Sequence, residues 1–487
     1  MKELAKWQII SFISRGIATA IGILQGFIIV RLLSVSEYGI VQIAASIGGV
    51  AGIYQHLGLA SGSTREISAA KDDTEVFTVF VTATVIKYLV TVPLAVGLFL
   101  LADRLALQTY NEAALVFPIK IYSVVLMLQG VQSIFNSVIS GTKRFKHLFL
   151  YQAVIAVVSL FLFVPFSYVY HVKGYFLALA LFNLVSSIVL GFIALKPLKA
   201  KMLMPNKADF KKLFKELISI SLAIYAVKII YTWWEKSGPL ILGTEISKEA
   251  VGIFAFGMLY SKKLMAISDA VTDVSLPVLS EKYVKDFVNF RELFSDNYNK
   301  LFVFITFVGM CVIYWAREVI QVLVGSHKYD LAFPLILPLV FAFVFYSFIN
   351  IIKSSVIIPA KMIKEMITSF AILLAVTVGF YFVSHDRFGS LMAMSLAMFF
   401  GSFLSFLAMG ALSKLKLRFP IITHDHILLL IQAGVIAYVG FINNILLKGL
   451  VFIFALGLFW WSVLITRFVR KEDLVYGFSK FREIIKR

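Results

Sequence analysis

The sequence holds a single cysteine, Cys311, among 487 residues, so no internal disulfide can form. A lone cysteine in an apolar run is a small packed hydrophobe. Charge is sparse too: 15% of residues are charged, while 60% are hydrophobic. A soluble chain with that balance would expose more contiguous apolar surface than water tolerates. There is no P-loop, so ATP hydrolysis by this chain is not expected. There is no HExxH motif or cysteine cluster to hold a metal. The "HDH" run at His424–His426 has metal-capable side chains but sits in a short loop. No catalytic constellation emerges.

What the chain has instead is apolar runs near 20 residues long, each enough to cross about 30 Å of hydrocarbon. They predict an all-α polytopic membrane protein of about 14 transmembrane helices, near 8–32, 38–60, 77–101, 113–139, 148–169, 175–195, 214–242, 249–275, 297–324, 332–358, 364–384, 388–412, 427–446 and 449–469. The first run, Ile9 to Leu33, is too long for the core of a cleaved signal peptide and is expected to remain as a helix.

Basic residues exceed acidic ones, 46 to 27, for a net charge of +19. Their placement argues against a nucleic-acid partner. The N-terminus, the C-terminal tail and every second loop carry 32 Lys and Arg, whereas the alternate loops carry 7. By the positive-inside rule both termini are expected in the cytoplasm, with the basic face towards an anionic leaflet of the cell membrane. All outer loops are short. The longest inner connection, "KPLKAKMLMPNKADFKKLFK", spaces Phe210, Leu213, Phe214 and Leu217 at helical intervals between lysines. It reads as an amphipathic linker helix on the membrane surface.

The chain also resembles itself. "EYGIVQIA" from Glu37 matches "AVGIFAFG" from Ala250, which sets Gly39 against Gly252 at an offset of 213. "GTKRFK" from Gly141 matches "PAKMIK" from Pro359 at 218, and the segments from Tyr110 and Tyr329 match at 219. An offset of six helices preserves orientation, so the expectation is two parallel-repeat six-helix bundles around a central cavity. The expected organisation is an N-terminal lobe at 1–198, a linker at 199–215, a C-terminal lobe at 216–413, and two extra helices with a basic tail at 414–487.

Ionisable residues inside a membrane normally face protein or water, and are functional candidates. In span seven, Ser221, Tyr225, Lys228, Thr232 and Glu235 form one polar stripe, with Lys236 beside it. Trp233 and Trp234 are expected to point towards lipid or a neighbouring helix. Span one carries Arg15 on a similar stripe, span two Gln42, Ser46 and His56, and span three Lys87 and Thr91. Lys120 lies within span four. The cavity is therefore predicted to be basic: Arg15, Lys87, Lys120, Lys228 and Lys236 as anion binders, with Gln42, Ser46, Tyr225 and Thr232 as polar lining. Acids in the spans are few. Glu235, Asp269 and Asp273 are the candidates for coupling to a proton or sodium gradient. Lysine and arginine favour phosphate through charge-assisted hydrogen bonds. No cofactor is expected.

The segments "RLLSVSEYGIVQI" at 31–43, "LGLASGSTREIS" at 57–68, "LILGTEISKEAVGIFAFG" at 240–257 and "LPVLSEKY" at 276–283 resemble the polysaccharide-biosynthesis flippases. These belong, with Wzx-type O-antigen transporters and lipid II flippases, to the multidrug/oligosaccharidyl-lipid/polysaccharide (MOP) exporter superfamily. The resemblance covers roughly residues 5–465. It implies two six-helix bundles in a V, and transfer of a polyprenyl-diphosphate-linked oligosaccharide from the inner to the outer leaflet. It also implies that cavity Arg and Lys meet the diphosphate, a role that suits Arg15 by position. Relatives often carry an acid just before "LILG"; here that place is Gly238, with Glu235 about one turn earlier. A lipid II-type flippase and a cation-coupled multidrug exporter of the same fold are the alternatives, and a membrane-bound sugar polymerase or ligase would need an outer catalytic loop that is missing. Glycosyltransferases or a polymerase of the same pathway are candidate partners beside the lipid-linked glycan and membrane lipid.

Overall fold

The computed structural model describes residues 2–198, 222–266, 285–442 and 444–469, with scattered positions within 210–217 and 268–283; side chains are described from residue 16 onward. Among the described residues the fold is entirely helical. In lipid no water is at hand to satisfy the backbone, so each spanning segment must bond its own N–H and C=O groups. Fifteen α-helices follow in order: α1 Lys2–Leu32, α2 Val35–Tyr54, α3 Leu59–Ala69, α4 Asp73–Arg104, α5 Val116–Gly141, α6 Phe145–Leu195, α7 Leu222–Glu245, α8 Lys248–Lys262, α9 Phe287–Tyr314, α10 Ala316–Val324, α11 Phe333–Ile352, α12 Ile363–Phe388, α13 Ser390–Leu417, α14 His424–Val439 and α15 Ile445–Thr466. Among the described residues eight helices, with their short flanking turns, are long and apolar enough to cross a membrane, and Gly16–Leu32 and His424–Val439 are shorter apolar helices.

The chain forms two compact units, Met1–Phe256 and Gly257–Arg487. The first holds α1 to α7 and the opening turns of α8. The 51-residue α6 is really two helices, 145–170 and 172–195, broken at His171 (φ 51°, ψ −128°). They fold back on each other: the ring of Phe163 lies 5.0 Å from Tyr175 and 6.1 Å from Phe182. Span two ends earlier than expected. Leu57 and Gly58 both take positive φ, which stops α2 and starts the separate helix α3 over residues expected to lie in span and loop. Of the linker, 199–209 lie outside the described residues. At its end Leu217 is fully buried against Leu59, Ala83, Ile86 and Ile134 of α3, α4 and α5.

One contact in the first unit is made backbone to backbone. A Cβ on Gly39 of α2 would overlap the Lys248 carbonyl oxygen at the start of α8, and a Cβ on Gly252 would overlap the Val35 carbonyl oxygen. The contact is reciprocal, because Val35 and Lys248 are separated by 213 residues, as are Gly39 and Gly252. The caps follow the same interval. Ser34 Oγ accepts from the Glu37 N–H at 3.2 Å and Ser247 Oγ accepts from the Ala250 N–H at 3.2 Å. A second interval recurs at 218: Lys143 and Lys361 are both left-handed (φ 58° and 54°), and His171 matches Gly389 (φ 51° and 73°).

In the second unit α11 is buried along almost its whole length and serves as the central post. Phe290, Phe294, Tyr298 and Phe302 stack along α9, and Phe302 meets Phe348 of α11 at 4.5 Å. The predicted ninth span divides at Trp315 into α9 and α10. The last helix is bolted on by Lys448, whose buried ammonium bonds both Glu318 carboxylate oxygens at 2.8 Å between the rings of Tyr314 and Trp315.

Small residues let membrane helices approach closely, and their replacement opens the contact. Gly39→Ala is expected to lower thermal stability in detergent by about 1–3 kcal/mol, the usual cost of overpacking. Gly22→Ala, with nothing within 4 Å of the new methyl, is expected to hold or raise it. Equal thermal midpoints for the two variants would show that the close contact carries no stability.

Candidate functional site

The polar groups of the first unit gather where α2, α4 and α7 meet. Helix α7 runs along α2: the Lys236 stem crosses Gly49, whose Cβ would stand 3.1 Å from Lys236 Cε. Further along, Tyr225 OH donates to the Tyr54 carbonyl oxygen at 3.0 Å. Trp233 Nε1–H donates to Tyr54 OH at 2.9 Å. On the other side of α2, Thr91 of α4 donates to Gln55 Oε1 at 3.1 Å.

These bonds bring Lys87 of α4, Lys228 of α7 and His56 into one electrostatic neighbourhood. Thr91 is one turn from Lys87 on α4 and Tyr225 one turn from Lys228 on α7, and both bond the Tyr54–Gln55 segment just before His56. Lys87 is 1% exposed, while Lys228 is open to solvent. Among the described residues neither lysine has a carboxylate within ion-pair distance. Glu235 is engaged elsewhere, bonded to Lys236 at 2.9 Å. The Lys228 side chain is also about 10 Å along the helix axis from Glu235, two turns away. A buried lysine beside a second lysine is costly: placing one at the centre of a membrane helix costs about 2.5–3.5 kcal/mol. An anion seated between the two would relieve the repulsion and accept charge-assisted hydrogen bonds from both.

The remaining candidates divide. Thr232 Oγ1 bonds the Lys228 carbonyl at 2.9 Å, so its hydroxyl is spent on its own helix. Ser46 is buried and Gln42 half-buried on α2, and Tyr225 is buried against Tyr54. Lys120 does not join the group. It pairs with Asp103 at 2.8 Å, and Asp103 is about 24 Å along α4 from Lys87 at 1.5 Å per residue. There it lines a separate cavity of about 560 Å³ with Glu37, Phe117, Tyr170, His171 and Lys173. The Arg15 side chain and all of Asp273 lie outside the described residues. Asp269 belongs to the second unit, where Asn350 Nδ2 donates to it at 2.8 Å and Lys353 bonds the Asn350 carbonyl oxygen at 2.6 Å. His426 is a packing residue. It is buried, its Nδ1 accepts from the Thr423 N–H, and its ring lies 4.4 Å from both Phe302 and Phe468. Among the described residues no cluster of three metal-binding side chains occurs.

Residues 28–334 match the model of the family described as polysaccharide biosynthesis protein. The chain belongs to that family. A search of proteins of curated function returns no match. Among solved structures, it is similar to a lipid II flippase, MurJ, in an inward closed conformation: TM-score 0.70 at 13% identity, covering 94% of this chain and 99% of that one. It is also similar to an inward-facing multidrug resistance transporter of the MATE family in the MOP superfamily: TM-score 0.65 at 16% identity, covering 82% of this chain and 94% of that one. At such identities the likeness shows the fold, that of multi-pass MOP-superfamily transporters. The family is one of transporters and flippases of polysaccharide biosynthesis.

Sequence reading had named Lys87, Lys228 and His56 separately. It missed Tyr54 and Gln55, because neither falls on the helical stripe that begins at Gln42. The unpaired lysine gives a direct test. Lys87→Met keeps the stem and removes the charge, so it is expected to raise the unfolding free energy by about 1–3 kcal/mol. Added pyrophosphate should stabilise the unaltered protein and not the variant. A loss of stability in Lys87→Met would mean that Lys87 is already satisfied in the resting protein.

Proposed function

We propose that the protein moves a polyprenyl-diphosphate-linked oligosaccharide from the inner to the outer leaflet by alternating access, for synthesis of a cell-surface glycan. The observation that carries this reading is the buried Lys87, which among the described residues has no carboxylate in ion-pair reach. Diphosphate supplies two adjacent anionic groups and many acceptor oxygens, which suits two converging ammonium groups. Arg15 is the third cation of the site in this reading. The polyprenyl chain remains in the bilayer while the headgroup moves. Substrate shifts the carrier between states only by binding one better than the other, so diphosphate must be held more tightly in the state towards which the loaded carrier moves.

The fuller architecture belongs to the same reading. We take the chain as 14 spans in two parallel six-helix halves, 1–198 and 216–413, with both termini in the cytoplasm. The left-handed positions 218 residues apart and the helix caps 213 apart support that duplication. The basic bias of alternate loops supports the orientation. Glu235, already bound to Lys236, and Asp269, bound to Asn350, are the groups through which a proton or sodium gradient would act.

A lipid II-type substrate is the nearest alternative, favoured by the similarity to a lipid II flippase. Export of organic cations is disfavoured, because a site of two lysines repels them.

The test is reconstitution into vesicles with a labelled polyprenyl-diphosphate sugar, scoring its protection from an external reagent. The unaltered protein is expected to move it. Lys87→Ala and Lys228→Ala are each expected to weaken substrate affinity roughly 10- to 100-fold, the worth of a hydrogen bond to a charged group. Unaltered protein that exports an organic cation and leaves the lipid in place would overturn the reading.

A further inference from the structure

The adjacent tryptophans of α7 serve different ends. Trp234 is fully buried and packs within the unit. Trp233 is 37% exposed, as is Tyr54 at 36%, and the two are tied by the indole N–H to phenol bond of 2.9 Å. Tyr54 is itself pinned by the Tyr225 hydroxyl on its carbonyl oxygen. Two partly open aromatic rings are thus held in fixed register on two packed helices. They adjoin the lysine group through three consecutive residues. Tyr54 holds Trp233 and accepts from Tyr225, one turn along α7 from Lys228; Gln55 accepts from Thr91, one turn along α4 from Lys87; and His56 follows them in the chain.

We infer that Trp233 and Tyr54 form a stacking platform for the sugar directly attached to the diphosphate, and that they distinguish a glycosylated lipid from the bare one. This inference rests on the proposed substrate class. A pyranose has an axial C–H face and an edge of hydroxyls. The negative face of an aromatic ring attracts the first, and polar groups at its rim serve the second. A ring already held by a hydrogen bond loses little conformational freedom on binding, which suits recognition. The sugar is joined to the diphosphate by one glycosidic oxygen. Once Lys228 holds the diphosphate, the first ring must lie close by, and Trp233 stands about 7.5 Å further along the same helix at 1.5 Å per residue.

The experiment measures binding of two probes to purified protein: polyprenyl diphosphate, and the same lipid carrying one N-acetylhexosamine. Trp233→Leu removes the ring, Trp233→Phe keeps a ring but loses the N–H, and Tyr54→Phe loses the hydroxyl that anchors it. Trp233→Leu is expected to weaken the glycosylated probe about two- to tenfold and leave the bare probe within a factor of two. The two Phe variants should fall between. Equal weakening of both probes by Trp233→Leu in a stable protein, or no change for either, would overturn the platform and leave the proposed substrate class standing. If Trp233→Leu fails to fold, the same comparison on Trp233→Phe decides: selective weakening of the glycosylated probe supports the platform, and unselective or absent weakening overturns it. Failure of the unaltered protein to bind either probe would overturn the substrate class and this inference with it.

Discussion

The first unit depends on how closely α2 and α8 approach. Between apolar helices in lipid there is no hydrophobic drive, so association rests on packing and on polar contacts. Gly39 and Gly252 remove the side chains that would hold the helices apart, and each helix lays its backbone on a carbonyl oxygen of the other. Once α8 is seated, the short α7–α8 turn is fixed as well. Lys248 bonds Glu112, which holds its amine above the usual lysine range. That placement carries α7 along α2 and sets Lys228, Trp233 and Lys236 beside it.

The polar site follows from that packing and works against it. Among the described residues Lys87 is buried with no carboxylate in ion-pair reach, while Glu235 is neutralised by its neighbour Lys236. A protein selected only for stability would place an apolar residue at 87. Retaining a charge there makes sense when the missing partner arrives with substrate. The second unit handles its buried charge differently. Lys448 meets Glu318 through two short bonds inside an aromatic box, and the pair fastens α15. A paired buried charge marks construction, and an unpaired one marks work to be done.

Several features were legible because they are local. Apolar runs declare spans, since twenty residues must satisfy their own backbone in lipid. The matched strings around Gly39 and Gly252 proved to be matched in space, with caps and close contacts at the same interval. Other features escaped for an equally physical reason. Leu57 and Gly58 end α2 early through left-handed backbone that hydropathy does not register. That Lys120 pairs with Asp103 and lines a cavity apart from Lys87 was not readable, because distance along one helix is legible but the partner on the next is not.

The sequence by itself determined an all-helical membrane protein of basic composition, because span length, helical spacing and charge bias are properties of contiguous residues. Only the tertiary structure decided which charges stand alone. Lys87, Lys228 and Lys236 are the same chemistry in the sequence. Lys236 has its carboxylate on the adjacent residue, whereas Lys87 is buried with no carboxylate in ion-pair reach among the described residues, since the field at a buried charge is set by whatever the fold brings near it.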